Sequence, residues 1–181
     1  MKSYALAAWA LAFLAAQEPA KVDNAEYKRW SKFKVGSSVK FKITTNAEGQ
    51  IDNELVVSLK SLDNDQAVLV RAFAGVVGGR KRVTNAERNV PAKVIKGQDA
   101  EGRAAKEVAT GDQFIRLMGK MTKCKWVEIE YTVMNGPDEI KMREKSWFHD
   151  SVVGGTARFE VKRVTSGVTT TYDVDESTPA K

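Results

Sequence analysis

The amino-acid sequence predicts an all-β protein, an antiparallel half-barrel or barrel of about nine strands with one short N-terminal helix. Apolar and polar side chains alternate over residues 125–133, so that Val127, Ile129, Tyr131 and Val133 share one face. A period of two is typical of a half-buried strand, because successive side chains point to opposite faces. Turn sequences such as Asn-Gly-Pro-Asp separate these segments at short intervals, which favours an antiparallel sheet, barrel or sandwich.

The first residues have the pattern of a secretory signal peptide. A short cationic start precedes an uncharged run over residues 4–16, and Gln17-Glu18-Pro19 forms a polar exit. The apolar run has 13 residues, fewer than the roughly 20 that span a bilayer. We therefore expect residues 1–16 to be removed by cleavage after Ala16, and the mature protein to be periplasmic or extracellular. The alternative is an uncleaved N-terminal anchor.

The remaining residues are predicted to form one domain. A chain of 181 residues buries enough surface to fold without disulfides. Residues 17–26 are polar and rich in alanine, which is typical of a loose leader. We expect a single β domain over 27–175 and a polar tail over 176–181.

The predicted helix lies at the start of this domain. Asn24 is a residue type that caps helices, and Tyr27, Trp30 and Phe33 recur at intervals of three. Such a helix would lay Tyr27 and Trp30 on the sheet and end at Gly36.

Nine segments have the alternation or composition of strands. The fourth is mostly polar and is followed by Pro91, which predicts a sheet edge. Residues 75–79 and 95–102 have the composition of loops, and Gly111-Asp112 is the expected irregularity of a long strand. The predicted strands cover 39–45, 51–62, 67–74, 82–90, 103–118, a segment that follows the Gly119-Lys120 turn, carries Cys124 and runs to 133, and then 140–148, 157–162 and 168–174.

The third strand is apolar on both faces. Val68, Val70 and Ala72 lie on one face, and Leu69 and Phe73 lie on the other. Such a strand is expected to be covered on both sides, one by a core and the other by the helix or a ligand cavity. The predicted ligand-binding residues are Tyr27, Trp30, Leu69 and Phe73.

The sequence supplies no catalytic constellation. His149-Asp150 has Ser146 and Ser151 as sequence neighbours, but a triad needs a nucleophile held against the imidazole in space. No Gly-x-Ser-x-Gly elbow occurs. We interpret His149 as a loop histidine, and we expect a protein that is not an enzyme.

Metal and thiol chemistry are also weakly represented. Metal sites need clustered His, Cys or carboxylate ligands, whereas this chain has one His and one Cys that are 25 positions apart. We therefore predict no metal and no cofactor. Cys124 is interpreted as an inert strand residue, with a free reactive thiol or pairing between chains as the alternatives.

The net charge of +6 and the pI of about 9.4 fit contact with an anionic surface. A basic surface that only aids solubility is the alternative. The basic runs, such as Arg80-Lys81-Arg82, are not interleaved with aromatic residues as a base-stacking platform requires. We therefore expect no nucleic-acid partner.

Two groups of residues carry a family resemblance. Trp147-Phe148-His149-Asp150, Gly154-Gly155 and Phe159-Glu160-Val161 resemble a pattern late in the outer-membrane lipoprotein-carrier-like half-barrels. Trp30 with Phe33 resembles the start of exported bacterial β proteins of unknown function. The carriers wrap a sheet around a helix and hold acyl chains in the hollow, so the resemblance implies a cavity of that kind.

These observations together favour an exported, non-catalytic binding protein. The expected ligand is lipid-like or otherwise apolar or amphipathic, and the expected place is the cell envelope. The alternative is a β interaction module that binds an envelope protein or an anionic polymer. The oligomeric state and the identity of the ligand stay open.

Overall fold

The computed structural model describes residues 19–47, 53–77, 80–99 and 101–181. The predicted signal peptide over 1–16 lies outside the described residues. One helix and eleven strands are found in the described part of the chain: β1 (Lys21–Asp23), α1 (Ala25–Trp30), β2 (Ser38–Thr45), β3 (Asn53–Leu62), β4 (Gln66–Val77), β5 (Arg80–Pro91), β6 (Lys93–Ile95), β7 (Ala105–Leu117), β8 (Lys120–Asn135), β9 (Asp138–Phe148), β10 (Thr156–Arg163) and β11 (Thr169–Thr178).

Nine of the strands form one antiparallel sheet in the order β5-β4-β3-β2-β11-β10-β9-β8-β7. β11 returns to pair with β2, with Tyr172 opposite Ile43, and so joins an N-terminal meander to a C-terminal one. β1 and β6 pair with each other in a separate two-stranded sheet. The large sheet is not closed, which confirms the predicted all-β half-barrel and decides against a closed barrel.

The two edges of the large sheet are β5 and β7. The prediction of an edge at the strand that ends with Pro91 is therefore confirmed. In β7 the irregularity lies between Glu107 and Ala109, whereas the sequence indicated Gly111-Asp112. The glycine backbone still matters, because a Cβ at Gly111 would lie 3.0–3.1 Å from the indole of Trp126.

The helix begins as predicted and ends early. The Asn24 side chain accepts a hydrogen bond from the backbone N–H of Glu26 at 2.9 Å, which caps the first turn. The Asn24 amide also donates to the carbonyl of Pro91, tying the cap to β5. The helix ends at Trp30, so it reaches neither Phe33 nor Gly36. In the described part of the chain, no helix has both the length and the apolar character that a membrane crossing requires.

Both predicted terminal segments contain regular structure. β1 lies inside the predicted loose leader (17–26), because its backbone pairs with β6, a partner that local composition does not indicate. β11 continues to Thr178, inside the predicted tail (176–181), and the Ala180 N–H donates to Ser37 Oγ. The boundaries of the β domain are therefore wider than predicted. Residues 75–77 of the predicted loop over 75–79 belong to β4, which continues through Val77, and residues 78–79 lie outside the described residues.

The buried core joins α1 to the sheet and to the loop over 152–155. Its fully buried members include Leu59 and Leu69 from adjacent strands and Val152 and Val153 from the loop. Tyr27 and Phe33 pack against it from the N-terminal side. The core residues are Trp30, Val39, Phe41, Val57, Leu59, Ala67, Leu69, Val90, Ile115, Leu117, Cys124, Trp147, Val152, Val153, Ala157 and Val174.

Candidate functional site

The inner face of the half-barrel lines an open cavity of about 780 Å³. This volume lies within the roughly 300–1,000 Å³ of typical small-molecule sites. Strands of the large sheet form the floor, and residues of α1, β1, 94–99 and 101–103 form the opposite wall. The apolar and aromatic lining consists of Val22, Trp30, Val39, Phe41, Leu55, Val57, Leu69, Val94, Val127, Ile129, Tyr131, Phe148, Val153, Phe159 and Tyr172.

Three aromatic rings form a platform in the middle of this floor. Phe159 on β10 stacks on Tyr172 of β11, with ring centroids 4.0 Å apart and planes 8° from parallel. Phe41 on β2 meets Phe159 edge-on at 5.5 Å. Alternation along three adjacent strands places the rings on the inner face, where they line the cavity with apolar surface.

The opposite wall is held by ion pairs. Arg88 of β5 binds Glu26 of α1 through two hydrogen bonds of 2.5 and 2.9 Å. Glu101, in the segment between β6 and β7, lies 3.2 Å from Arg88 Nε and 3.0 Å from Arg103 Nη1. Arg103 also binds Asp99 at 2.6 Å. This cluster ties the helix and the residues 99, 101 and 103 to the edge strand β5.

In this cluster, the positive charges of Arg88 and Arg103 are balanced by neighbouring carboxylates. Burial lowers the pKa of Arg88, but its hydrogen bonds to Glu26 and the charges of Glu26 and Glu101 outweigh burial, so the net direction is upward. The pKa of Arg103 is also raised, because Asp99 and Glu101 outweigh its burial. Both guanidinium groups are therefore neutralised within the fold.

Glu144 of β9 places a carboxyl group on the inner face. Burial raises its pKa, while the hydrogen bond from Ser146 Oγ at 3.0 Å and the charge of Arg103 act in the opposite direction. Burial also raises the pKa of the nearby Tyr131 phenol to about 12, and the charge of Glu144 adds to this effect. The guanidinium of Arg103 stands 4.3 Å from the centre of the Tyr131 ring. Burial therefore favours the uncharged forms of Glu144 and Tyr131.

Arg29 of α1 is a cation of a different kind. Its guanidinium lines the cavity and lies 4.3 Å above the ring of Phe148. Its Nε is buried without a hydrogen-bond partner, and among the described residues no carboxylate forms an ion pair with it. Burial lowers its pKa, with a smaller upward effect from the charge of Glu26. Arg29 is therefore a charge in the cavity wall that the fold leaves unneutralised.

Gly154 and Gly155 explain how Arg29 and Trp30 are positioned. Their φ angles are +72° and +75°, values that side-chain-bearing residues rarely adopt. A Cβ at Gly154 would lie 2.5 Å from the Trp30 indole, and one at Gly155 would lie 2.5 Å from Arg29 Cδ. The Gly-Gly pair lets the loop after β9 press against the helix.

The structure brings two of the four predicted site residues to the cavity. Trp30 and Leu69 line it. Phe73, further along β4, does not line it, and neither does Tyr27, whose hydroxyl donates to the carbonyl of Asp63 at 2.5 Å while its ring packs against the core. The covered face of β4 is that of Leu69, whereas Val68 is only half-buried.

The charged lining was missed by sequence reasoning. Arg71 interrupts the apolar row of Leu69 and Phe73, and Glu144 takes an inward position between Met142 and Ser146. A polar residue on an otherwise apolar face was a signal that could have been read as a polar group in a cavity.

The turn after β9 does not assemble a Ser-His-Asp arrangement. His149 Nδ1 lies 2.7 Å from Ser151 Oγ, two residues away, and the Asp150 carboxylate is held by Lys32 at 2.9 Å. Cys124 is free and buried in the core, and burial raises the pKa of its thiol. Within the described residues, no group of three or more His, Cys, Asp or Glu side chains is placed to hold a metal ion.

A second feature lies at the end of the β7–β8 hairpin, at residues 112–125. Phe114 and Met121 are 62% and 65% exposed, and Met118 in the turn is also exposed. The strand register places Lys123 opposite Phe114 and Arg116 opposite Met121 on the same face. This hairpin tip is therefore both apolar and basic.

Comparison with known proteins gives structural likenesses only. No protein-family model matches the chain, and no curated protein gives a significant match. A candidate exported protein with a YmcC-like fold from Bacteroides fragilis has a TM-score of 0.47 at 10% identity, covering 80% of this chain and 96% of its own. The hypothetical lipoprotein YmcC from Escherichia coli has a TM-score of 0.38 at 14% identity, covering 86% and 90%.

A third structure is similar at a lower level. A DUF1329 family protein from Desulfovibrio piger has a TM-score of 0.32 at 8% identity, covering 86% of this chain and 92% of its own. The expected resemblance to exported bacterial β proteins of unknown function is thus met by the descriptions of these structures. At such TM-scores and identities the likenesses carry no argument about ligand or activity.

Proposed function

We propose that the protein is an exported, non-catalytic binding protein that holds an amphipathic ligand in the cavity of the half-barrel. The observation that carries the proposal is the cavity itself: about 780 Å³ in volume, with an apolar floor and charged groups in the wall. A purely apolar ligand would leave the Arg29 guanidinium without an ion-pair partner, and a purely polar one would leave the aromatic platform without an apolar contact. A molecule with an apolar body and a polar end satisfies both.

The arrangement of the wall supports reversible uptake. Opposite the large sheet, a six-residue helix, β1 and residues from 97–99 and 101–103 line the open cavity. Of these elements, α1 is attached to the large sheet through the buried Trp30 and the Glu26–Arg88 ion pair, whereas the residues of β1 and β6 are all exposed or half-buried. Elements with few buried apolar contacts open more readily than strands in the centre of a sheet. A ligand can therefore enter without disturbing the nine-stranded sheet.

Cavity filling provides the test. Ser146→Trp introduces an indole on the inner face next to the aromatic platform, and we expect it to weaken binding of a fluorescent fatty-acid analogue by about tenfold or more. Ser61→Trp adds the same side chain at an exposed position of β3 and should leave binding unchanged. Circular dichroism would verify that both variants are folded. Equal affinity of both variants, or no binding by the unmutated protein across several lipid classes, would contradict the proposal.

A second candidate function rests on the hairpin tip. Its exposed Phe114, Met118 and Met121 stand beside Arg116 and Lys123, so apolar and cationic groups face the same way. An anionic lipid surface offers both an apolar phase and negative charge, whereas an anionic polymer would leave the apolar side chains in water. The alternative function is therefore docking of the tip on an anionic bilayer.

Vesicle sedimentation tests this second candidate. Binding should be stronger to vesicles of phosphatidylglycerol than of phosphatidylcholine, should weaken with salt, and should fall in Phe114→Ser and Met121→Ser. Val83→Ser, at a residue that is 68% exposed on β5, is the control for loss of any exposed apolar side chain. Indifference to lipid charge would count against the tip as a membrane contact.

A further inference from the structure

We propose that Arg29 binds the anionic head group of the cavity's ligand, which makes the ligand a single-chain anionic amphiphile. The inference rests on the proposed function, because it assigns a chemical class to the occupant of the same cavity. The head group is a carboxylate or a phosphate, both of which match the planar fork of a guanidinium.

The first step is the state of Arg29 itself. A buried charge is expensive unless it is paired and hydrogen-bonded. Arg29 lines the cavity, its Nε has no hydrogen-bond partner, and the ring of Phe148 covers one of its faces. The low dielectric of the cavity would strengthen an ion pair formed there. The fold thus holds a cation in place without supplying its anion.

The second step is that nearby charges do not fill this role. Glu26, one turn before Arg29 on the helix, uses both carboxylate oxygens for Arg88. Arg103 is neutralised by Asp99 and Glu101. Arg71 stands 3.8 Å from Glu101, and burial together with the charge of Arg88 lowers its pKa. Arg29 alone among the cavity's arginines has no ion pair with a described carboxylate.

The third step is the direction that the cavity imposes on a ligand. Arg29 sits at Phe148, and Glu144 lies four residues earlier on β9, about 13 Å away at roughly 3.3 Å per residue. Between these two ends lies the aromatic platform of Phe41, Phe159 and Tyr172. An anion is favoured at the Arg29 end and disfavoured at the Glu144 end. The apolar chain therefore runs from Arg29 over the platform.

Competition with matched ligands tests the proposal on the full mature chain. Hexadecanoate, hexadecyl phosphate, hexadecanol and hexadecylamine share a chain and differ in the head group, and each would displace a fluorescent fatty-acid probe. We expect the Kd values of the two anions to be lower than that of the alcohol by a factor of about ten or more. A difference of this size corresponds to the free energy of one charge-assisted hydrogen bond. The amine should bind most weakly.

Variants at Arg29 complete the test. Arg29→Met keeps the packing against Gly155 and should abolish the preference for the anions while leaving hexadecanol affinity unchanged. Arg29→Lys should restore part of the preference. Arg163→Met removes an exposed arginine and should change nothing. If Arg29 were structural, Arg29→Met would lower the urea midpoint of the ligand-free protein; removal of an unpaired buried charge should instead raise it.

The outcomes separate this inference from the proposed function. Equal affinity for the four ligands, unchanged by Arg29→Met, would overturn the role of Arg29 and leave the amphiphile-binding function standing. Binding of none of the four would overturn both. If acetate or inorganic phosphate displaced the probe as effectively as hexadecanoate does, the requirement for an apolar chain would be overturned.

Discussion

At the scale of single residues, the inner face of the sheet combines apolar side chains with inward-pointing charged ones. Val127, Ile129 and Tyr131 are on one face, as their alternation predicted, yet they line a hollow together with Glu144 and Arg71. Alternation identifies the face of a strand that turns away from solvent. It does not show whether the side chains on that face pack against others in a filled core or line a cavity. That depends on strand order and sheet curvature, which local sequence does not encode.

Glu144 gives a prediction about pH. Burial raises the pKa of Glu144 in the folded protein above its ordinary value of 4.5. At a pH between 4.5 and the folded pKa, Glu144 is therefore protonated in the folded protein and ionised in the unfolded chain. Stability should therefore fall as pH rises from about 4.5 through the folded pKa. Glu144→Gln should raise the free energy of unfolding at pH 8 and have much less effect at pH 4. Urea melts at both pH values measure this, with the exposed Glu139→Gln as control.

A second prediction at this scale concerns Gly154. An alanine there must adopt positive φ, at a cost of roughly 1–2 kcal/mol, and its Cβ must displace the Trp30 indole, which adds roughly 1–3 kcal/mol. Gly167→Ala has nearly the same φ but nothing within 4 Å, so it isolates the backbone term. Gly154→Ala should therefore be the more destabilising in urea melts. Equal losses of stability in the two variants would show that the Trp30 indole can move aside at no cost in free energy.

At the scale of elements, the sequence was most informative where one strand turns directly into the next. The strands from β2 to β5 and from β8 to β11 lie where alternation and turn residues predicted them. β1 and β6 were missed, because a three-residue strand has too few positions to show a period. Their pairing joins segments about seventy positions apart, and it closes one side of the cavity.

The attachment of α1 to β5 yields a prediction at this scale. Glu26→Gln leaves the Arg88 guanidinium partly buried without its carboxylate, and we expect a loss of roughly 2 kcal/mol, below the 3–5 kcal/mol of a fully buried pair. Glu87→Gln breaks the exposed pair with Lys60 and should cost less than about 1 kcal/mol. Denaturant melts compare the two. A larger effect from Glu87→Gln would mean that the helix is held by apolar packing alone.

At the scale of the whole molecule, the half-barrel depends on one long-range pairing. β11 lies between β2 and β10, so the last strand closes the gap between the two meanders. Turn residues indicate which neighbours in sequence pair, but they contain no signal for a pairing across more than one hundred positions. The class of fold was therefore predictable, while the strand order and the position of the cavity were not.

Ligand binding should be visible in the stability and the dynamics of the whole chain. A ligand that binds only the folded state stabilises it by about 2.7 kcal/mol at one hundred times its Kd. With hexadecanoate present, hydrogen exchange should slow over residues 21–30, 93–99 and 101–103, which lie at the cavity opposite the large sheet, and change little in the hairpin tip over 112–125. Ser146→Trp should remove both the stabilisation and the protection. Protection confined to the hairpin tip would instead place the ligand on the exposed Phe114 and Met121, and the cavity would lose its role.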